Sequence, residues 1–144
     1  MKIAIVGCGF VSDYYLVTLK AYPHIELKMV YDKDQARSKD AARREAVTSA
    51  ESLDEILNDS EVELLHNLTN PRDHFEVSKK ILEAGKHVYS EKPFAMELDK
   101  CHELYDLAKE KNLLIASAPC SILSESAQTM KKAIDEGKIG TVRI

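Results

Sequence analysis

Short apolar stretches alternate with longer amphipathic ones along the whole chain. The first, Lys2–Val6, is rich in β-branched residues and stops at two glycines, which is typical of a strand buried on both faces of a parallel sheet. The same pattern predicts further strands at Glu26–Tyr31, 46–48, 62–68, His87–Ser90 and 113–118. A last strand is predicted to begin at residues 141–144.

Between these strands, apolar residues recur at the spacing of one helix face. The spacing predicts helices at residues 10–22, 33–45, 52–57, 97–111 and 122–136, and another that opens at Asn70 and Pro71 and is capped by a left-handed Gly85. Strands that alternate with such helices form right-handed crossovers. The predicted fold is therefore a doubly wound, mostly parallel α/β sheet with helices on both faces, in one domain over residues 1–144.

Composition narrows the possible functions. With 144 residues, 44% of them hydrophobic, and a formal charge of −4, the chain can bury one core and has no electrostatic reason to approach nucleic acid. Its cysteines are widely spaced and form no C-x-x-C pair, which indicates reduced thiols and no metal site. No apolar stretch reaches the length of a membrane span or of a secretory signal. We expect a cytoplasmic protein without membrane or nucleic-acid partners.

A glycine-rich turn lies between the first predicted strand and the first predicted helix. In a dinucleotide-binding turn, the position of Gly7 permits a tight bend, and that of Gly9 lets the backbone approach a pyrophosphate at the helix start. Ser12 occupies the third position, where glycine or alanine is usual. The alternative is that these glycines only make a tight strand-to-helix turn.

Asp32 ends the second predicted strand, roughly 20 residues beyond the glycines, where a carboxylate accepts hydrogen bonds from an adenosine ribose. A carboxylate there repels a 2′-phosphate and favours NAD. Lys33 and Arg37 are close enough in sequence to offset that repulsion, so NADP stays open. The alternative is that Asp32 is an ordinary turn or helix-cap residue.

Two more polar segments follow predicted strands. Leu68, Thr69, Asn70 and His74 follow the fourth strand, at the edge where ligands bind in open α/β sheets. Asn70 is equally explained as a helix N-cap, and His74 as a structural helix residue.

Glu91, Lys92 and Pro93 follow the fifth predicted strand at the same edge. A lysine at this position can donate a hydrogen bond to a substrate oxygen or exchange a proton with it. The alternative is that Glu91 and Lys92 are solvated surface charges.

These motifs together resemble the Gfo/Idh/MocA oxidoreductase family. The resemblance rests on residues 4–9, Asp32, residues 68–71 with His74, and residues 84–93, and it extends over essentially the whole chain. It implies an NAD(P)-binding Rossmann-like domain and reversible hydride transfer to or from a sugar, cyclitol or related hydroxyl compound. The order Asn70-Pro71 reverses the proline-asparagine order frequent in the family.

The resemblance also implies roles for single residues. The pyrophosphate is expected to meet Gly7, Gly9, Phe10 and Val11, and the nicotinamide side to meet Thr69, Asn70, His74 and Glu91. Asp32 is expected to bind the adenosine ribose, and Lys33, Leu68 and Lys92 complete the set of expected cofactor residues. Lys92 is expected to be the catalytic residue that binds the reacting oxygen, with a cis Lys92–Pro93 bond shaping its loop.

Length is the larger departure from the family. Residues 137–144 resemble the junction at which family members enter a second, substrate-binding domain, so we expect that domain to be absent from this chain. Two alternatives therefore stay open: a non-catalytic module that senses dinucleotide or acts as a scaffold, and a small reductase completed across an interface between copies. Apolar surface left uncovered favours a homo-oligomer.

Overall fold

The computed structural model describes residues 1–118 and 120–143. The strands, in chain order, are β1 (Lys2–Val6), β2 (Glu26–Tyr31), β3 (Thr48–Ser49), β4 (Leu64–Asn67), β5 (His87–Ser90) and β6 (Ile115–Ser117). The α-helices are α1 (Phe10–Leu19), α2 (Gln35–Glu45), α3 (Leu53–Asn58), α4 (His74–Glu83), α5 (Leu98–Glu110) and α6 (Glu125–Asp135). No helix within the described ranges has both the length and the apolar character needed to cross a membrane.

The strands form one parallel sheet in the order β3-β2-β1-β4-β5-β6. Helices α1 and α2 bury Leu16 and Ala41 against one face of the sheet, beside Ile5 of β1. Helices α3, α4 and α5 bury a second cluster, which includes Ile81 and Leu104, against the other face. The sheet thus has helices on both faces, which confirms the doubly wound α/β prediction.

The order of the strands places a crevice at the end of β1. The chain leaves β1 toward one face of the sheet and leaves the neighbouring β4 toward the other face, so their carboxyl ends diverge. Backbone hydrogen bonds continue past both strand ends, from Gly7 N to Tyr31 O at 2.8 Å and from Leu68 N to Val6 O at 2.7 Å. The glycine turn and the loop after β4 therefore face each other across this crevice.

Several element boundaries differ from the predictions because of local capping. Helix α1 ends at Leu19 rather than at residue 22, and α2 begins only after Asp34, whose carboxylate caps the amide of Ala36. Ala46 adopts a left-handed conformation, with φ 55°, to end α2. A left-handed residue cannot continue a strand, so β3 starts at Thr48, later than predicted.

The C-terminal region differs more. A 3₁₀ turn at Cys120–Leu123 precedes α6, which begins after Ser124 caps the amide of Ala127. The strand predicted at residues 141–144 is wrong for 141–143, which have no strand conformation, and Ile144 lies outside the described residues. A strand needs a partner to hydrogen-bond with, and no described strand pairs with this segment.

Candidate functional site

A cleft of about 590 Å³ opens at the crevice between β1 and β4. Its walls come from the turn after β1, the end of β2, the loop after β4 and the first turns of α4. The candidate cofactor residues on these walls are Gly7, Gly9, Phe10, Val11, Asp32, Lys33, Leu68, Thr69 and Asn70. The fold therefore brings most of the predicted site together in one cavity.

Gly7 is required by the backbone opposite it. Its φ is +100°, and a Cβ built there would lie 2.5 Å from both the carbonyl carbon and the carbonyl oxygen of Leu68. Both the conformation and the space exclude a side chain. The close approach holds the turn after β1 against the loop after β4.

Gly9, in contrast, is not required by any contact within residues 1–118 and 120–143. A Cβ built on it would meet no atom within 4 Å, and its φ of −86° and ψ of −167° suit any residue. Gly9 stands at the N-cap of α1, and no described side chain caps this helix start. The open space beside it therefore leaves room for a group that binds the first amides of α1.

Asp32 is nearly buried, and its carboxylate organises the turn. One oxygen, Oδ2, accepts a hydrogen bond from the backbone N of Cys8 at 2.7 Å, and Oδ1 accepts one from the N of Asp34 at 2.8 Å. Each carboxylate oxygen has a second lone pair, so Asp32 can still accept bonds from a ligand in the cleft. The alternative role as a turn residue is thus present, and it does not exclude a ligand-binding role.

Cys8, between the two glycines, is not a nucleophile. Burial raises the pKa of its thiol to about 12, and the negative charge of Asp32 acts in the same direction. The sulfur also lies 3.6 Å from the carbonyl oxygen of Tyr31. A thiol in this state is essentially all protonated at neutral pH, so the turn offers its backbone rather than a reactive side chain.

Two basic side chains flank Asp32 in the wall of the cleft. Lys33 Nζ lies 3.6 Å from a carboxylate oxygen of Asp73, and Arg37 Nε lies 3.3 Å from one of Asp34. All four side chains are at least 47% exposed. These pairs are therefore weakly held and free to rearrange around a charged ligand.

The loop after β4 is held from below by Asn67, which is fully buried. Its side-chain oxygen accepts hydrogen bonds from the N of Thr69 at 3.3 Å and from Thr69 Oγ1 at 2.7 Å. Its side-chain nitrogen donates to the carbonyl of His74 and to Ser78 Oγ, both at 3.0 Å. Asn70 follows at the N-cap position of a 3₁₀ turn, Pro71–Asp73, but its side chain makes no capping bond.

His74 lies beneath this loop rather than on the wall of the cleft, with only 1% of its surface exposed. Its Nδ1 is 2.6 Å from the carbonyl oxygen of Pro93, and its Nε2 is 3.0 Å from that of Thr69. The ring therefore bridges the loop after β4 and the loop after β5. The predicted contact between His74 and a cofactor is not part of this arrangement.

Glu91 and Lys92 stand at the end of β5, outside the residues that line the cleft. Glu91 accepts hydrogen bonds from Tyr15 Oη at 2.7 Å and from the backbone N of Lys92 at 2.9 Å. Lys92 is exposed, and the Lys92–Pro93 bond is cis, as expected. Tyr15, on α1, thus connects the helix after the glycine turn to the loop that carries Lys92.

Tyr15 is itself positioned by a buried histidine. The rings of Tyr15 and His66 meet edge to face with 4.1 Å between their centres, and Tyr89 contacts both rings, at 4.7 Å from His66 and 6.4 Å from Tyr15. Burial lowers the pKa of His66 to about 4, and its Nε2 has no hydrogen-bond partner within residues 1–118 and 120–143. His66 is therefore neutral at physiological pH and serves as a packing partner.

Two functional residues, Tyr15 and Asn67, are not predicted from the sequence. Tyr15 falls within the predicted first helix, where nothing indicates that its hydroxyl bonds to a residue 76 positions away. The role of Asn67 could have been predicted, because it is an amide within the predicted strand at residues 62–68. A buried amide there must find hydrogen-bond partners.

Fold and site together define a dinucleotide-binding domain of the Rossmann type, with a glycine turn, a helix start and a strand-end acid at one crevice. Residues 1–118 match the family model described as "Oxidoreductase family, NAD-binding Rossmann fold", GFO_IDH_MocA. The chain belongs to this Gfo/Idh/MocA family, which confirms the resemblance.

Three known proteins that are similar to the chain are each longer than it is. An uncharacterized oxidoreductase of Schizosaccharomyces pombe is 35% identical over 99% of this chain and 40% of its own length. An inositol 2-dehydrogenase/D-chiro-inositol 3-dehydrogenase of Lactiplantibacillus plantarum is 30% identical over 96% of the chain and 41% of its own. The crystal structure of GenD2 from gentamicin A biosynthesis, in complex with NAD, matches with a TM-score of 0.92 at 26% identity, covering 99% of this chain and 41% of GenD2. The chain thus spans about 40% of the length of the curated relatives it matches.

Proposed function

We propose that this chain is the NAD(P)-binding domain of an oxidoreductase that transfers a hydride between the nicotinamide and a sugar, cyclitol or related hydroxyl or carbonyl compound. One observation carries the proposal: the open backbone at Gly9 and the carboxylate of Asp32 face one cleft at the switch point of the sheet. The similarity to an inositol dehydrogenase and to an NAD complex supports the substrate class and the cofactor.

The residues present fit a dinucleotide. Gly9 leaves free space at the start of α1, where amide groups and the helix dipole favour a pyrophosphate. Asp32 has lone pairs left for two ribose hydroxyls. Phe10 and Val11, 77% and 38% exposed, offer apolar surface on the same wall.

The charges around Asp32 favour NAD and leave NADP possible. The carboxylate lies where a 2′-phosphate would be repelled, whereas Lys33 and Arg37 on the same wall can turn toward such a phosphate. Both cations pair with exposed acids, Asp73 and Asp34, so the rearrangement costs little. We therefore propose NAD as the preferred cofactor and NADP as a weaker one.

When bound, the nicotinamide supplies the carbon that accepts or releases the hydride. We propose that Lys92 Nζ binds the substrate oxygen, receives its proton during oxidation and returns it during reduction. Glu91 fixes the start of this loop through Tyr15, and Thr69 and Asn70 face the cleft from β4. Lys92 is exposed, so water must be excluded from it before hydride transfer is efficient.

We further propose that residues outside these 144 complete the substrate pocket. A second cavity of about 360 Å³, lined mainly by apolar and aromatic side chains such as Ile3 and Tyr22, lies open on the α1 side of the sheet. Exposed apolar side chains also follow β6, namely Ile122, Leu123, Met130, Ile134, Ile139 and Val142. Such surfaces are usually covered in a working protein, by further chain or by a second copy.

Isothermal titration calorimetry of the chain with NAD⁺, NADH and NADP⁺ tests the proposed function. We expect saturable binding of the NAD forms with a stoichiometry of one. No heat with any of the three at millimolar concentration, in protein shown to be folded by circular dichroism, contradicts the proposal.

Replacing Asp32 with alanine tests how the ribose is recognised. We expect NAD⁺ affinity to fall by about tenfold or more, because two hydroxyl bonds to a charged acceptor are lost, and NADP⁺ affinity to fall less or to rise. Asp106→Ala, at an exposed acid on α5, is the matched control and should change neither. Equal losses for both cofactors in an Asp32→Ala protein whose unfolding free energy is unchanged show that Asp32 does not read the ribose.

A further inference from the structure

His74, which does not line the dinucleotide cleft, has an unusual set of partners for a histidine. Both ring nitrogens face backbone carbonyl oxygens, at 2.6 Å and 3.0 Å, and the side chain is almost completely buried. Carbonyl oxygens only accept, so each bond needs an N–H from the ring. The ring lies within hydrogen-bond distance of both carbonyls and can donate to either of them.

The two carbonyls belong to different parts of the proposed active site. Thr69 lies in the loop after β4 and lines the dinucleotide cleft, whereas Pro93 directly follows Lys92 in the loop after β5. Asn67 already holds Thr69 from the side of β4. Pro93 and its neighbour Lys92 are exposed, so the bond from His74 is a buried anchor for an otherwise solvent-facing segment.

We propose that His74 is a positioning residue that ties the loop after β4 to the loop after β5 and thereby sets where Lys92 stands relative to the cleft. The proposal rests on the proposed function only in the role it gives Lys92. The bridge itself is a property of the fold. Asn67 Nδ2 also donates a hydrogen bond to the backbone carbonyl of His74. The bridge made by His74 is therefore held by the same buried amide side chain that orients Thr69.

The geometry of histidine allows its two bonds to be separated by substitution. In His74→Asn the side-chain amide stands in for Nδ1 and can keep the bond to Pro93 while losing the bond to Thr69. In His74→Gln the amide stands in for Nε2 and can keep Thr69 while losing Pro93. His102→Asn and His102→Gln, at an exposed position on α5, are the matched controls.

Amide hydrogen exchange of the full chain reads out each loop. The reporters are the backbone N–H groups of Glu91 and Lys92, bonded to Asn67 O and Glu91 Oε2, and that of Thr69, bonded to Asn67 Oδ1. We expect His74→Gln to speed exchange at Glu91 and Lys92 by up to about tenfold and to spare Thr69, and His74→Asn to do the reverse. The NAD⁺ affinity should fall in His74→Asn, whose loosened loop lines the cleft, and stay near that of the unmodified chain in His74→Gln.

The inference is overturned if both variants speed all three amides equally, which is the signature of general destabilisation, or if either variant matches the unmodified chain in every readout. Absence of NAD⁺ binding by the unmodified chain removes the proposed function but leaves the exchange test intact.

Discussion

The turn after β1 and the loop after β5 lie at the same edge of the sheet but are held by different kinds of contact. In the turn, the backbone of Gly7 packs on the backbone of Leu68, and Gly7 N bonds to Tyr31 O. The loop after β5 is held by side chains from distant elements: Tyr15 bonds to Glu91, and His74 contacts the carbonyl of Pro93.

This difference sets how each region tolerates change. A backbone-to-backbone contact leaves no room for a side chain, so the position of Gly7 accepts one residue type. A loop held by side chains can be held by other side chains of similar reach. A single substitution in the turn should therefore lower the unfolding free energy strongly, whereas single substitutions in the loop should each lower it only slightly.

The largest expected effect tests the backbone contact. Gly7→Ala should lower the free energy of unfolding by about 3 kcal/mol or more, because a methyl group must displace the Leu68 carbonyl and the residue must keep a positive φ. Urea unfolding followed by circular dichroism measures the loss. A change below about 1 kcal/mol would show that the turn adjusts easily and tolerates substitution as well as the loop after β5 does.

Gly9→Ala is the matched control for that experiment. Its Cβ meets no atom within 4 Å, so we expect a change in unfolding free energy below about 1 kcal/mol. Dinucleotide affinity should nevertheless fall by roughly tenfold, because the methyl group occupies the proposed pyrophosphate space. Gly7 would then be needed for the fold and Gly9 for the ligand.

The next effect concerns His66, which packs against the Tyr15 ring that holds the loop after β5. The folded state lowers the pKa of His66 to about 4, below its unfolded value of about 6.5, because burial disfavours the charged ring. Between these two values the unfolded chain binds more protons, so stability should fall as the pH falls through this window. The expected loss is roughly 3 kcal/mol by pH 4.

Substitution identifies His66 as the source of that acid sensitivity. His66→Phe keeps a ring in contact with Tyr15 and Tyr89 and removes the titrating nitrogens, so urea midpoints measured from pH 7 to pH 4.5 should depend less on pH. His102→Phe, at an exposed site, should keep the original slope. The same slope in all three proteins would exclude His66 as the titrating group.

A smaller effect is expected at the hydroxyl that holds the loop. Tyr15→Phe removes the bond to Glu91 and should cost about 1 kcal/mol of unfolding free energy, since water can replace the donor at a half-exposed carboxylate. Exchange of the Lys92 amide should speed up, whereas the glycine turn should be unaffected. Tyr14→Phe, one residue earlier and exposed, is the control. If Tyr15→Phe lowers the unfolding free energy as much as Gly7→Ala does, the loop does not loosen gradually on substitution as expected.

The same contrast explains what sequence patterns could predict. Gly7, Gly9 and Asp32 are recognisable because each acts on backbone within its own strand-turn-helix unit, where local pattern carries the information. The left-handed Gly85 that ends α4 was predicted for the same reason, and its φ is +77°. The alternation of strands and helices was enough to predict the sheet, because crossovers between parallel strands have a fixed hand.

Contacts between distant segments were beyond those patterns. Tyr15 meets Glu91 because β1 and β5 lie on either side of β4 in the sheet. The local sequence pattern does not specify this strand order. His74 was expected near the nicotinamide, yet its ring faces the Pro93 carbonyl 19 residues away. The predicted boundaries of helices and strands were wrong where a single residue caps a helix. Ala46, for example, ends α2 and delays the start of β3.

The smallest expected effect lies at the edge of the cleft. Lys33→Ala removes an ion pair with Asp73 whose side chains are 76% and 47% exposed, so unfolding free energy should change by less than about 0.5 kcal/mol. NADP⁺ affinity should fall, because a cation that can meet a 2′-phosphate is gone, while NAD⁺ affinity stays constant. Lys39→Ala, an exposed lysine on α2, should change neither affinity in calorimetry. If Lys33→Ala weakens both cofactors equally, Lys33 acts on a part that NAD⁺ and NADP⁺ share, and selectivity must come from Asp32 and Arg37.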